Sequence, residues 1–332
     1  MVDGRTHDIP LAEARLLIQR AIDKAEQLQL RGGIAVYGGS GALVSVSRMD
    51  RGGAGGMARA RSKAWISATQ QIPSAEHLKR MNFVSAPVEQ GFKTASPEAL
   101  FPGAGGMPIF ATLDSATREV VGGIAASGAT VSPFFPAGIP QQNMIANGQP
   151  ANPEDLLIAY ALDIPYVGQH GDDVARWAAS FGEFPTDAPE GLGMAEAPRA
   201  SHQFEHEWAL RVADAVLRAA DERSVRVALA ITDHRGDAIQ QDAADGAATS
   251  ASFLALSLAA TAATFQQPSQ DVAGLFGGQL QGVAAALPFA ILASPGGLPI
   301  SEGGAFVGGL GVAGVEPELA AEIATAALEA VS

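Results

Sequence analysis

The sequence predicts an α+β protein built as two tandem copies of one small domain, each an antiparallel sheet packed with helices. Three observations carry this. The 332-residue chain exceeds the length of a typical single domain. A shift of 195 residues superimposes Ile34-Ala35-Val36-Tyr37 on Leu229-Ala230-Ile231-Thr232, Gly41 on Gly236 and Asp50 on Asp245. Hairpin-length connections between the strands within each copy imply antiparallel pairing.

The elements follow in order. Ala14-Arg15-Leu16-Leu17-Ile18 through Glu26 runs parallel to Ala209-Leu210-Arg211-Val212-Ala213 through Asp221, both with apolar residues at three- and four-residue spacing, so each copy opens with an amphipathic helix. A strand, a Gly-rich or Asp/Gly turn and a second strand come next. A second helix starts near Met57 or Ala251 and is closed by Thr69 and Pro73 or Thr264 and Pro268, proline being unable to continue it. Gly105-Gly106-Met107-Pro108-Ile109 then matches Gly296-Gly297-Leu298-Pro299-Ile300, and Val121-Gly122-Gly123-Ile124-Ala125 matches Val307-Gly308-Gly309-Leu310-Gly311, two further strands per copy. Both copies end in a helix, Pro153 to Leu162 and Pro317 to Val331, with Pro at a favourable first-turn position. The copies are expected at 9–163 and 204–332. The Pro-, Gly- and acid-rich stretch 164–203 between them reads as an irregular connector, with a short helix at Asp172 to Ser180.

Composition narrows the function classes. A formal charge of −14 without a basic face speaks against nucleic acid as partner. The absence of cysteine removes disulfides, thiolate metal sites and a cysteine nucleophile. No run reaches a membrane span, the Ala-rich stretch Ala251 to Ala263 being too short, and the N-terminal residues lack a signal core, so a cytoplasmic protein is expected. Gly-x-Ser-x-Gly and Walker motifs are missing, which discounts acyl transfer and a phosphate-cradling loop.

The repeated motifs resemble the GlcG/HbpS family, which includes the C-terminal domain of PduO-type proteins. The resemblance rests on the hairpin turn, Arg48-Met49-Asp50, Lys63-Ala64, Gly105-Gly106-Met107-Pro108, and Val121-Gly122-Gly123-Ile124 with Ser127-Gly128. It implies a profilin-like domain, assembly as a homo-oligomer, and a pocket for a small-molecule ligand, with haem possible as the cofactor. The two copies depart from the family pattern in opposite ways. The first has Val36-Tyr37-Gly38 where the second keeps Ile231-Thr232-Asp233-His234. The first keeps Arg48 and Lys63 where the second has Ala243 and Leu258. Fusion of an ancestral homodimer with one surviving composite pocket would produce this complementary loss.

Candidate sites follow from side-chain chemistry. Arg48, Asp50 and Lys63 could hold an anionic ligand, since Arg offers a planar fork and Lys a mobile charge. The bland alternative pairs Arg48 with Asp50 at a strand end and leaves Lys63 on a solvated helix face. Gly105-Gly106 and Gly296-Gly297 either bring backbone amides to a ligand or mark a tight strand entry. Asp233 and His234 complete the ligand-binding set. His7, His77, His170 and His234 are possible haem ligands, although none lies in a ligand motif. His202 and His206, four apart, have zinc spacing but no third ligand, so a solvated helix start is the better reading and no metal is expected. Polar residues kept beside the glycine doublets speak against a ligand-free structural or oligomerisation module, which leaves two other functions open. One is a small-ligand-binding protein for an anionic metabolite or tetrapyrrole, accessory to a catabolic or cofactor pathway. The other is a cofactor-independent lyase, isomerase or hydrolase on an oxygenated acid or aromatic catabolite, with Arg48 holding a carboxylate and Lys63, Asp50 or Tyr37 moving protons.

Overall fold

A computed structural model describes residues 8–27, 30–50, 52–81, 100–111, 119–128, 145–146, 149–150, 152–166, 206–276, 280, 289–302 and 304–331. In chain order the elements are α1 (Leu11–Gln27), β1 (Gly33–Gly38), β2 (Leu43–Arg48), α2 (Ala54–Gln70), α3 (Ser74–Met81), β3 (Gly106–Phe110), β4 (Val120–Ser127), the two-residue strands β5 (Ile145–Ala146) and β6 (Gln149–Pro150), and α4 (Pro153–Leu162). The second half holds α5 (His206–Glu222), β7 (Ala228–Asp233), β8 (Ala238–Ala243), α6 (Ala251–Phe265), a 3-10 turn at Ser269–Asp271, α7 (Val272–Leu275), β9 (Gly297–Glu302), β10 (Ala305–Ala313) and α8 (Pro317–Val331). Both copies follow the expected order, and the fold is helices on an antiparallel sheet. The reading missed α3 and its short counterpart after Pro268. Pro73 and Pro268 stop one helix, but the next helical turn begins at the following residue, Ser74 or Ser269, too soon for a periodicity signal. The expected helix at Asp172 to Ser180, His7, His170 and His202 lie outside the described residues.

Contacts gather the chain into two compact units, one within residues 1–42 and 51–197, the other within 43–50 and 198–332. Strand β2, read in sequence with the first copy, therefore belongs to the second unit. In the first unit β4 pairs antiparallel with β1, Gly33 opposite Ser127 and Gly38 opposite Gly122, and with β3, Gly106 opposite Ala125. In the second unit β2, β8, β7, β10 and β9 pair antiparallel in that order. Ser45 and Ser47 of β2 donate hydroxyls to Asp242 and Gln240 of β8 at 2.7 and 2.6 Å, giving these buried polar groups partners.

Periodicity explains which face each helix buries. Helix α1 turns Ala14, Leu17, Ile18, Ala21, Ile22 and Ala25 inward, and α5 turns Ala209, Val212, Ala213, Val216 and Ala220 inward. Helices α2 and α6 approach the sheet more closely because the strands beneath them carry glycine. A Cβ at Gly123 would fall within van der Waals overlap of the backbone of Ala64 and Ala68, and one at Gly309 or Gly311 would do the same to Ala259 or Ala255. These glycines let helix backbone rest on strand backbone, and in the first unit they set the depth at which α2 holds its side chains. Helix α2 ends on Gln71 at φ 57° and α6 on Gln266 at φ 53°, the same left-handed exit in both copies.

Candidate functional site

Helix α2 faces the sheet with small residues, Ala60, Ala64 and Ala68, and among them stands Lys63, only 3% exposed. A buried ammonium demands a counter-charge. Glu154, 3% exposed in the first turn of α4, supplies it through Oε2. Lys63 also donates to Ser127 Oγ at 3.2 Å. The other Glu154 oxygen, Oε1, accepts the Gly128 N–H at 2.8 Å, and Gly128 sits at φ 90°, where glycine is the natural residue. Asn152 caps α4 by accepting from the amides of Glu154 and Asp155 at 2.9 and 3.2 Å, which fixes the helix start that carries the carboxylate.

Above this cluster lies the segment leading into β3. The Phe101 N–H donates to Ser62 Oγ at 2.5 Å, and Ser74 Oγ donates to the Gly103 carbonyl, so the segment is tied to α2 and to the start of α3. Phe101 is 49% exposed, with Arg59 Cζ 5.7 Å and Lys63 Nζ 5.9 Å from its ring centroid. Arg59 Nε donates to Ser127 Oγ at 3.4 Å, and among the described residues no carboxylate pairs with it. Lys63, Glu154, Ser127, Arg59 and Phe101 thus form one connected set within the first unit.

The remaining predicted residues separate into other settings. Arg48 donates from Nη2 to Asp233 Oδ2 at 2.7 Å, so the two charges that the copies kept in complementary fashion neutralise each other. Asp233 Oδ1 accepts the amides of Arg235 and Asp237 at 2.9 and 3.2 Å, an Asx-type turn cap. Burial, and then the charge of Asp233, push the nearby Asp237 carboxyl above its ordinary range. Asp50 accepts the His206 N–H at 2.8 Å at the start of α5, a helix-terminus role in place of the expected Arg48–Asp50 pair. His234 is exposed and accepts from Arg235 Nε at 3.4 Å. Tyr37 is buried at 1%, and its hydroxyl accepts from Arg61 Nε at 3.3 Å. Lys63 departs most from its bland reading: it is enclosed by α2, α4 and β4, not solvated.

The glycine doublets are engaged in packing. The Gly105 N–H donates to Asp155 Oδ1 at 2.7 Å, and a Cβ there would overlap Glu154. The Gly297 N–H donates to Ser269 Oγ at 3.0 Å, and Cβ atoms on Gly106 and Gly297 would strike Ser74 and Ser269 respectively. Gly296 at φ 112° mirrors Gly105 at φ 101°.

Sequence reasoning missed Glu154, Ser127's contact, Arg59 and Phe101. Glu154 was visible only as a helix-start acid, the commonest reason for an acid at that place. His77 in α3 is 4% exposed, and burial, then Arg80, lower its basicity. Among the described residues no group of three metal-binding side chains gathers, and no helix is long and apolar enough to cross a membrane. A separate cleft of about 360 Å³ is lined by Arg211, Asp214, Arg218, Ala330 and Val331, a mixed-charge surface without a histidine.

A family model described as haem degrading protein HbpS-like matches residues 9–132 and again 204–329, most of the chain in two repeats. The chain belongs to the HbpS-like family. Solved structures similar to this HbpS-like chain include the Klebsiella pneumoniae protein ORFY, at 25% identity over 39% of this chain and 90% of that one, TM-score 0.36. A double variant of Streptomyces reticuli HbpS is 27% identical over 45% of this chain and 99% of that one, TM-score 0.38. A PduOC–haem complex is 23% identical over 39% and 94%, TM-score 0.36. No curated protein matches the sequence.

Proposed function

We propose that this HbpS-like protein binds a small anionic ligand, accessory to a catabolic or cofactor pathway, at the Lys63 cluster of the first unit, with haem the first candidate. One observation carries the reading: the ion pair of Lys63 and Glu154 is buried, while the equivalent ground in the second copy is apolar. Leu258 stands for Lys63 and Ala313 for Ser127, and both join an apolar cluster with Ala251, Ala255 and Ala259. The fold therefore closes without these charges. Buried ion pairs are seldom needed for stability, since hydrophobic replacements are often neutral or better. Charges retained in one copy and dispensable in the other point to a ligand.

Haem, which the family description implies, needs a flat apolar surface, cations for its propionates and an iron ligand. The half-exposed Phe101 ring flanked by Arg59 and Lys63 suits the first two requirements. His77, whose burial favours the neutral imidazole that binds metals, is the first side chain to test for the third. When bound, haem would supply iron chemistry; these residues would hold its ring edge and carboxylates. Phe253, Leu254 and Leu275, between 42% and 53% exposed, favour the homo-oligomer that the family resemblance implies, readable by light scattering after gel filtration.

Haemin titration followed at the Soret band tests the reading. Saturation at one haemin per chain is expected, with loss in Lys63→Leu/Glu154→Leu while circular dichroism stays that of the parent. Undiminished saturable uptake by the double variant would overturn the placement of the site. His77→Ala reports separately on iron ligation through the Soret position.

A further inference from the structure

The set around Lys63 contains more than charge. Phe101 is held by its backbone, its N–H on Ser62 Oγ at 2.5 Å and the Gly103 carbonyl on Ser74, yet about half of its side chain faces solvent. An aromatic side chain on an anchored backbone, half exposed and flanked by cations, offers apolar surface to an arene. Two cations lie within 6 Å of its centroid. Lys63 is buried and neutralised by Glu154, whereas Arg59 is half-buried and has no carboxylate partner among the described residues.

The second copy makes the set specific. Shifts within the repeat place Leu254 at the position of Arg59, Leu258 at that of Lys63 and Leu292 at that of Phe101. Leu258 and Leu292 pack in one apolar cluster. The ring and both cations of the first copy all correspond to aliphatic side chains in the second, as expected if they serve one purpose in the first copy.

We infer that the Lys63 site takes a small aromatic carboxylate, an arene of one or two rings packed against the exposed part of Phe101 with its carboxylate on Arg59. This rests on the reading of the Lys63 cluster as a ligand site. A planar guanidinium offers a carboxylate two parallel hydrogen bonds, and Arg59 is the cation of the pair that no carboxylate among the described residues neutralises. Only recognition is involved; no bond is made or broken.

Calorimetric titration of the full chain with 2-naphthoate, cyclohexanecarboxylate and haemin tests it. Naphthoate should bind at one per chain, with cyclohexanecarboxylate, equal in charge but without a π face, weaker by about tenfold or more. Phe101→Leu and Arg59→Leu, which copy Leu292 and Leu254, should each weaken naphthoate by about tenfold or more, and Phe101→Tyr should restore it. Equal affinity for the two acids, or naphthoate binding indifferent to Phe101→Leu, would overturn the inference. Haemin binding that is lost in Lys63→Leu/Glu154→Leu, without any naphthoate binding, would overturn the inference and leave the site reading standing. Absence of any binding that depends on Lys63 and Glu154 would remove both.

Discussion

Helices α2 and α6 occupy equivalent places in the two copies, rest on equivalent glycine strands and end in the same left-handed residue, yet one buries Lys63 and the other Leu258. Around Lys63 stand Glu154 and Ser127; around Leu258 stand Ala251, Ala255, Ala259 and Ala313. The same backbone therefore tolerates a charged and an apolar filling. What both copies share is scaffold. Ser74 bonds the carbonyls of Gly103 and Gly106, and Ser269 bonds those of Ser294 and Gly297, the same staple twice. What only one copy keeps is the candidate for function.

The hairpin turns show that a lost side chain can also be replaced from elsewhere. The second copy caps its turn with Asp233, whose Oδ1 accepts the Arg235 N–H. The first copy has Gly38 at the equivalent position, and Asp8 enters beside it to accept the Ser40 N–H at 2.8 Å and the Ser40 hydroxyl at 2.5 Å. A Cβ on Gly38 would overlap that carboxylate. Loss of the aspartate there is a substitution of source, whereas loss of Lys63's equivalent is a change of chemistry.

Breaking the charged filling on one side should give the largest effect. Lys63→Ala or Glu154→Ala leaves an uncompensated buried charge and should cost about 3–5 kcal/mol in urea denaturation. Lys63→Leu/Glu154→Leu, which imitates the second copy, should stay within about 1.5 kcal/mol of the parent, because replacing both partners removes the uncompensated charge. A double variant as unstable as the singles would break the comparison. On the other side, Leu258→Ala opens a cavity and should cost about 2–5 kcal/mol in the same measurement. The shared staple should respond alike in both copies: Ser74→Ala and Ser269→Ala should each cost about 1–2 kcal/mol, and a clear inequality would show that the copies differ in scaffold too. Removal of the borrowed cap by Asp8→Ala should cost about 1 kcal/mol and accelerate amide exchange at Ser40.

The pH response should be smaller. Burial lowers the His77 pKa, so the folded state binds that proton less readily than the unfolded chain. Its contribution is present above the ordinary value of about 6.5 and is lost as pH falls from there through the lowered folded value, and His77→Gln should flatten that part of the stability profile. An unchanged slope in the variant would assign the acid response to another group.

The repeat, its element order and the helix ends were legible because apolar spacing, glycine doublets and stopping prolines are local signals. Lys63 and Arg48 were legible through resemblance, but not their partners. Arg48 and Asp233 lie 185 residues apart, and Lys63 and Glu154 lie 91 apart, separations over which no periodicity carries information. Glu154 also carried the ordinary signature of a helix-start acid, which hid its burial. Phe101 sits just before a strand between glycines and prolines, where exposure is decided by the tertiary neighbours alone.

The number of ligand sites per chain tests most directly the claim that function persists in one copy only. Titration of the full chain with haemin and with 2-naphthoate, read by calorimetry, should give one saturable site per chain, abolished by Lys63→Leu/Glu154→Leu and untouched by Leu258→Met. Two equivalent sites per chain, or a single site that survives the double replacement, would contradict it.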